Sequence, residues 1–202
     1  MPKLLSKAEI EDFREKLIDA ATRLFAERGR QDFTLKELTS ELGVSPMTPY
    51  RYFEDKDAML AAVRARAFDR FADALEVAFA KPGPAPMRAL AVYDAYVDFA
   101  KREPAAYRLM FDVCQPDEEK YPELVRATAR ARNTMTDYVR ALLKEGLIEG
   151  DPELIGHVFW VPLHGTIMLE MAGKLSPECD ARTIRMTMFS ALVNAFLPKR
   201  EK

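Results

Sequence analysis

The chain has 202 residues, of which 49% are hydrophobic and 31% are charged, which is the profile of a globular protein with one or two domains. The sequence contains no apolar run long enough to cross a membrane, no signal peptide and too few cysteines for a disulfide framework, so we expect a cytoplasmic protein. The net charge of −2 and the pI near 5.8 argue against a generally basic nucleic-acid-binding protein.

The first two predicted helices each begin with a capping box, in which a hydroxyl and a carboxylate three residues later satisfy backbone N–H groups. Ser6-Lys7-Ala8-Glu9 precedes a helix that is predicted to run to Gly29. Thr34-Leu35-Lys36-Glu37 opens a short second helix that Gly43 is predicted to end.

A third helix is predicted to start at Ser45, its expected N-cap, with Pro46 at the first helical position. Pro49 falls in the first turn of this helix, where it removes the backbone hydrogen bond to the Ser45 carbonyl. We therefore expect a distorted, 3₁₀-like first turn, with Thr48 held away from helical backbone angles.

The rest of the chain is predicted to form helices separated by prolines. A long amphipathic helix covers about residues 57–80 and is followed by helices at about 87–103, 104–111 and 122–145. Asp151-Pro152 and Ser176-Pro177 are predicted to begin two more, each as an N-cap followed by proline. These patterns predict an all-α fold of about nine helices, with a DNA-binding domain at residues 1–56 and a second helical domain at residues 57–202.

The segment Leu42-Gly43-Val44-Ser45 has the size and turn chemistry of a helix-turn-helix, in which glycine takes a positive φ angle. Tyr50-Arg51-Tyr52-Phe53-Glu54-Asp55-Lys56 follows, and it resembles the end of the DNA-binding domain of the TetR (tetracycline-repressor-like) family. The resemblance covers roughly residues 8 to 60 and includes Leu24-Phe25-Ala26-Glu27-Arg28-Gly29 and Phe33-Thr34.

The resemblance implies two sets of DNA-binding positions. Those that bind the DNA backbone correspond to Thr34, Ser45, Thr48, Tyr50, Tyr52 and Lys56. Those near base edges or nearby phosphates correspond to Lys36, Pro46, Met47 and Arg51. Hydroxyls and a lysine fix the register on phosphates, apolar side chains suit thymine methyl groups, and an arginine suits guanine.

Simpler interpretations of these residues remain open. Tyr50 and Phe53 have the character of core aromatics, an interpretation that we favour for Phe53, and Lys36 and Lys56 taken singly are ordinary solvated charges. Residues 1–58 contain ten basic and twelve acidic side chains. DNA binding would therefore depend on where these side chains are placed and not on net charge.

The C-terminal part contains two further motifs that resemble one TetR subclass, Pro104-Ala105-Ala106-Tyr107-Arg108-Leu109-Met110-Phe111 and Trp160-Val161-Pro162-Leu163-His164-Gly165. The resemblance implies binding of a small-molecule effector, and the aromatic and sulfur side chains favour an apolar or aromatic one. The candidate ligand-binding residues are Tyr93, Tyr96, Tyr107, Phe111, Trp160, His164 and Met168. The alternative, which we leave open, is that this stripe is a core or dimer-interface face.

The last predicted helix has an apolar face that is suited to pairing with another helix. In the family the final two helices form a four-helix bundle with those of a second copy, which implies a homodimer on a pseudo-palindromic DNA operator. The candidate interface residues are Ile184, Met188, Leu192, Ala195 and Phe196.

Other functional classes have weaker support. The sequence lacks the GxSxG, GxxxxGK[ST], HExxH and GxGxxG motifs, so we expect no catalytic residues, no enzyme and no cofactor. His157 and His164 are too far apart along a helix to share a metal without other ligands, so no metal site is expected. A helical protein-interaction adaptor is the main alternative, and redox sensing by Cys114 or Cys179 is a weaker one.

Overall fold

The computed structural model describes residues 6–28, 34–111 and 117–198, with only the backbone described for residues 7, 26–28 and 35. Gly29, Phe33 and Cys114 lie outside the described residues. Within these ranges the regular structure is entirely helical, which confirms the predicted all-α class, and eight α-helices are present instead of about nine. They are α1 (Lys7–Arg28), α2 (Leu35–Glu41), α3 (Lys56–Phe79), α4 (Ala85–Arg102), α5 (Pro104–Phe111), α6 (Pro122–Lys144), α7 (Pro152–Met171) and α8 (Ala181–Ala195).

Several helices begin where local capping chemistry predicts. Both predicted capping boxes are present, since Ser6 and Glu9 exchange hydrogen bonds at the start of α1 and Thr34 and Glu37 do so at the start of α2. The Asp151 side chain accepts a hydrogen bond from the Leu154 N–H at 2.8 Å and caps α7, as the Asp151-Pro152 pair predicts.

The predicted start of the last helix at Ser176-Pro177 is wrong. The Ser176 hydroxyl donates to the Glu178 carboxylate instead of capping a helix, and the Ser176 carbonyl accepts from the Cys179 N–H to close a turn. α8 begins at Ala181, where the Asp180 carboxylate accepts from the Thr183 N–H at 2.8 Å and supplies the N-cap.

The predicted third helix is also shorter than expected, because residues 45–53 contain a turn followed by a 3₁₀ helix, Pro49–Arg51. Pro49 has no N–H for the Ser45 carbonyl, which accepts instead from the Thr48 N–H at 2.8 Å. The 3₁₀ geometry is as expected. The expectation for Thr48 is wrong, since its φ of −63° and ψ of −45° are helical.

The chain divides into two compact units, one formed by residues 1–69 and 105–128 and the other by residues 70–104 and 129–202. In the first unit α2 packs against α1 around Leu38, which is fully buried. The hydrophobic core of this unit contains Leu17, Ile18, Ala20, Ala21, Leu24, Phe25, Leu38, Phe53, Met59, Leu60, Ala62, Val63 and Leu109. A helix as short as α2 is unstable alone, so its position depends on this packing.

The second unit is built from α4, α7 and α8 with the adjoining parts of α3 and α6. α7 packs against α8, and it approaches α6 closely at Gly156, where a Cβ atom would lie 3.0 Å from Thr136 Cγ2. Arg130 of α6 pairs with Asp73 and Glu76 of α3. None of the described helices is both long enough and apolar enough to cross a membrane.

Candidate nucleic-acid interface and ligand cavity

The turn after α2 has the geometry that a helix-turn-helix requires. Gly43 adopts a φ of +63°, its N–H donates to the Ser40 carbonyl, and the Val44 N–H donates to the Thr39 carbonyl at 2.9 Å. This pair of hydrogen bonds is a Schellman motif, which ends a helix and reverses the chain. The Thr39 hydroxyl donates to the Lys36 carbonyl within α2, as a threonine inside a helix often does.

The segment after this turn exposes most of the predicted DNA-binding side chains. Ser45, Pro46 and Arg51 are exposed, Met47 is 67% exposed, and Tyr50 is 49% exposed. The Ser45 hydroxyl accepts from the Met47 N–H at 3.4 Å, which fixes the start of the turn. Large exposed apolar side chains such as Met47 are available to contact thymine methyl groups in a DNA groove.

Three other residues of this segment hold it on the first unit. Pro49 and Phe53 are buried, and the Tyr52 ring lies 5.2 Å from that of Phe13. Phe53 belongs to the hydrophobic core, which is the interpretation favoured from the sequence. Tyr52 is half-buried, and Thr48 and Lys56 are also partly covered. Buried and exposed residues therefore alternate along this short segment. The buried ones anchor it to the hydrophobic core, and the exposed ones form its outer surface.

The charges of the first unit explain how an acidic chain can present cations. Arg14 pairs with Glu123, and Arg23 pairs with Glu41, so these arginines are neutralised within the protein. Among the described side chains of residues 34–58, Lys36 and Arg51 are exposed cations that make no ion pair. They flank the turn of the helix-turn-helix and remain available to an anionic partner.

A small cavity lies inside the second unit, between α4, α6, α7 and α8. Its volume is about 30 Å³, counted as the space open to the centre of a water molecule, so it holds roughly two waters. The lining residues are Ala89, Val92, Tyr93, Tyr96, Met135, Tyr138, Phe159, Trp160, Pro162, Leu163, Arg185, Met188, Phe189 and Leu192. The Trp160 indole N–H donates to the Tyr96 hydroxyl at 2.8 Å across this wall.

The predicted ligand-binding residues are therefore not all in one place. Tyr93, Tyr96 and Trp160 line the cavity, whereas His164 and Met168 lie further along α7 and do not. Tyr107 and Phe111 belong to the first unit, where their rings contact each other at 5.1 Å. Spacing along single helices could not separate these two clusters, because tertiary packing decides which helix faces meet.

The cavity also contains a charged residue that the sequence interpretation missed. Arg185 is buried on α8, and its Nη1 donates to Glu170 Oε2 at 2.6 Å. The sequence did contain a hint of this, since Arg185 interrupts the apolar face formed by Ile184, Met188 and Leu192. An arginine on such a face is rarely buried unless it is paired, so it indicates a buried ion pair.

His164 is half-buried, and burial lowers the pKa of its imidazole below the ordinary value of 6.5. The unfolded chain therefore takes up a proton at this residue more readily than the folded chain. The free energy of unfolding should fall as the pH drops through about 6.5, and this slope should level off below the lowered pKa.

Denaturant titrations between about pH 7.5 and 5.5, the range in which histidines titrate, measure this effect. His164→Gln is expected to flatten the pH dependence. His157→Gln removes the only other histidine, which is exposed, and should leave the slope in place. Equal slopes for the wild type and His164→Gln would show that His164 does not cause the dependence.

A second feature of this unit is an apolar groove along α7 and α8. It is lined by His157, Val158, Val161, Pro162, Met188, Ala191 and Leu192. Of the predicted interface residues, Met188 and Ala195 are exposed, and Ile184, Leu192 and Phe196 are partly covered within the chain. Met188 and Leu192 line both the groove and the cavity, so two of the predicted interface residues also form part of the cavity wall.

Two family models match the chain. Residues 17–63 match the model described as "Bacterial regulatory proteins, tetR family", and residues 89–196, more than half of the chain, match "Tetracyclin repressor-like, C-terminal domain". The first match contains the helix-turn-helix, and the second contains the cavity and the groove.

Curated relatives are similar over part of their length. The HTH-type transcriptional regulator BetI of Brucella abortus (strain 2308) is 32% identical over 120 residues, which cover 58% of this chain and 60% of that protein. The HTH-type transcriptional activator FasR of Mycolicibacterium smegmatis is 27% identical over 130 residues, covering 64% and 58%. The chain thus spans about 60% of the length of the curated relatives that it matches.

Solved structures share the fold over nearly the whole chain. A Rhodococcus sp. RHA1 protein of unknown function superposes with a TM-score of 0.80 at 24% identity, covering 98% of this chain and 100% of that one. A TetR family transcription regulator from Marinobacter aquaeolei VT8 superposes with a TM-score of 0.70 at 20% identity, covering 96% and 100%. Together with the two family models, these findings show that the chain belongs to the TetR family of bacterial regulatory proteins.

Proposed function

We propose that this chain is a DNA-binding transcriptional regulator that acts in the cytoplasm as a homodimer and responds to a small apolar or aromatic effector. The observation that carries the proposal is the helix-turn-helix with two exposed, unpaired cations, Lys36 and Arg51, on either side of its turn. Family membership supports the same function, since the matched relatives are named transcriptional regulators. Regulators of this family are generally not enzymes, and we expect no turnover.

In this proposal the first unit contacts DNA in two ways. Thr34, Ser45 and Tyr50 hold phosphates and fix the register, together with Thr48, Tyr52 and Lys56. Pro46 and Met47 contact thymine methyl groups, and Arg51 donates to a guanine edge in the major groove. Lys36 adds a contact to a phosphate or a neighbouring base.

The split between base reading and phosphate binding is testable with single variants. Arg51→Ala is expected to weaken binding to the specific site by about 1–3 kcal/mol and to relax the base preference at one position. Lys56→Ala should weaken binding to specific and random DNA nearly equally and reduce the salt slope by about one. Titration of labelled duplexes at several salt concentrations measures both effects.

The matched control is Lys174→Ala, which removes an exposed cation from the second unit. It should leave the affinity for both DNAs unchanged. If Arg51→Ala lowered the affinity for specific and random DNA equally, Arg51 would not be a base-contacting residue.

A helical adaptor that binds a protein partner is the competing function. DNA binding releases counterions from the phosphates, so the logarithm of the affinity should fall steeply and linearly with the logarithm of the salt concentration. An adaptor would show little salt dependence on its protein partner and no specific DNA binding. This measurement distinguishes the two functions on the purified chain.

The homodimer is supported by the apolar surface of the last two helices. Val161 of α7 and Met188 of α8 are exposed and line the same apolar groove, and clustered exposed apolar side chains often mark an interface. A second copy related by two-fold symmetry would cover them and would set two helix-turn-helix units at a fixed spacing.

We infer repression as the mode of regulation, because that is the common mode of the family. In a transcription assay with the selected operator placed over a promoter, transcript levels should fall when the protein is added. An increase would indicate activation, the mode named for the relative FasR.

A further inference from the structure

Two buried donor atoms at the cavity have no described hydrogen-bond partner. They are the Tyr93 hydroxyl and Nε of Arg185, both inaccessible to solvent. The Arg185 residue as a whole is only 4% exposed. The Tyr93 hydroxyl and the Arg185 guanidinium interact with each other, since the hydroxyl helps to raise the pKa of Arg185, but neither donor atom has an acceptor in hydrogen-bond geometry. A buried donor without an acceptor is costly, so such pairs often mark the place of a ligand.

One carboxylate, Glu170, lies between two cationic side chains at this end of the cavity. Glu170 accepts from Arg185 at 2.6 Å, and its other oxygen lies 3.8 Å from the Lys101 ammonium. Two cations therefore share one carboxylate. Burial alone would lower the pKa of Arg185, but Glu170 and Tyr93 together raise it above the ordinary value, so the guanidinium stays charged.

The remainder of the cavity wall is apolar or aromatic. Tyr96, Phe159, Trp160 and Phe189 contribute ring surface, and Met135 and Met188 contribute flexible thioethers. In its present form the cavity has room for little more than a carboxylate-sized group. Methionine side chains repack at low cost, which allows the cavity to widen around a larger apolar body.

We propose that this cavity binds an organic carboxylate with an apolar or aromatic body, whose oxygens accept hydrogen bonds from the Tyr93 hydroxyl and Arg185 Nε. This assignment rests on the proposed function, in which the second unit binds an effector, and it specifies the chemical class of that effector. The ion pair with Glu170 holds the guanidinium in place, and the anion supplies the acceptor that both donors lack.

Trp160 is the only tryptophan of the chain and lines the cavity, so its fluorescence reports binding directly. The probes are phenylacetate, 4-phenylbutyrate and octanoate, each compared with its primary amide, and the protein is titrated without DNA. At least one acid should bind saturably and about tenfold or more tightly than its amide, because a charge-assisted hydrogen bond is roughly twice as strong as a neutral one.

Two variants assign the contact atoms. Tyr93→Phe removes a buried hydroxyl that has no acceptor in hydrogen-bond geometry, so the melting temperature should stay nearly the same or rise while affinity for the acid falls about fivefold or more. Arg185→Gln should abolish the preference for acid over amide. Tyr121→Phe, which removes a hydroxyl in the first unit, is the matched control and should bind the acid as the wild type does.

The outcomes separate this assignment from the proposed function. Amides that bind as tightly as acids, an unchanged affinity in Tyr93→Phe, or no saturable binding of any of the three acids would each overturn the carboxylate site and leave DNA binding untouched. If an acid binds as expected but the affinity for DNA does not change, the site stands and the effector response in the proposed function fails.

Discussion

Val161→Glu is expected to convert the proposed homodimer to a monomer. Val161 is 61% exposed on α7 at the edge of the apolar groove, so a glutamate there remains hydrated in the isolated chain and costs little. In the proposed dimer the same carboxylate would be buried without a partner, which costs several kcal/mol. We expect the dimer dissociation constant to rise at least about 100-fold, equivalent to roughly 2.7 kcal/mol, as measured by analytical ultracentrifugation.

Operator affinity should fall with the dimer, because a monomer contacts one half-site only. The control is Val77→Glu, which introduces the same change at a 69% exposed position on α3. It should remain dimeric and bind the operator normally. If Val161→Glu stays dimeric at micromolar concentration, the interface lies elsewhere and the proposed use of the α7 and α8 surface is wrong.

Leu38→Ala is expected to lower the free energy of unfolding by about 2–5 kcal/mol, the usual cost of a leucine-to-alanine change in a packed core. Leu38 is fully buried between α2 and α1 and is the main apolar anchor of a seven-residue helix. Because α2 positions the turn at Gly43, operator affinity should fall too, although Leu38 faces the protein interior. Urea denaturation and duplex titration measure the two quantities.

Two further variants test whether the loss of stability comes from lost core packing. Leu38→Met preserves side-chain volume and should cost less than about 1.5 kcal/mol. Leu90→Ala removes a 44% exposed leucine from α4 and should cost well under the core value. If Leu38→Ala were no more destabilising than Leu90→Ala, the described packing of α2 would be contradicted.

Most helices of this fold were predictable because their boundaries depend on neighbouring residues. Capping boxes at Ser6 and Thr34 and the Asp151-Pro152 pair satisfy the first N–H groups of a helix locally, and each marks an observed start. The turn at Gly43 was predictable for the same reason, since only glycine takes its positive φ without strain.

Other features could not be predicted locally, because they depend on competition between capping side chains or on tertiary packing. Ser176 had the chemistry of an N-cap, but Glu178 takes its hydroxyl and Asp180 caps α8 instead. Thr48 keeps helical angles next to Pro49 because it is the N-cap of the 3₁₀ helix, in which its carbonyl accepts from the Arg51 N–H. The aromatic residues grouped from the sequence divide between two units, since helix periodicity does not determine which helices pack together.

The role of Arg185 was hidden for the same reason. On α8 alone it is one charge on an apolar face, and only the packed second unit shows that Tyr93 of α4 lies beside it with an unpaired hydroxyl. The chemical character of the cavity is thus a property of the fold, whereas the character of the helix-turn-helix is largely present in the local sequence.

Selection of bound duplexes from a random DNA pool tests the central claim most directly, because it examines DNA binding, symmetry and half-site spacing together. The proposed homodimer predicts enrichment of a pseudo-palindrome whose half-site centres lie about one helical turn, or a multiple of it, apart. Arg51→Ala should lose the preference at one position of each half-site. Recovery of no enriched sequence, or of an asymmetric single site bound by a monomer, would contradict the account.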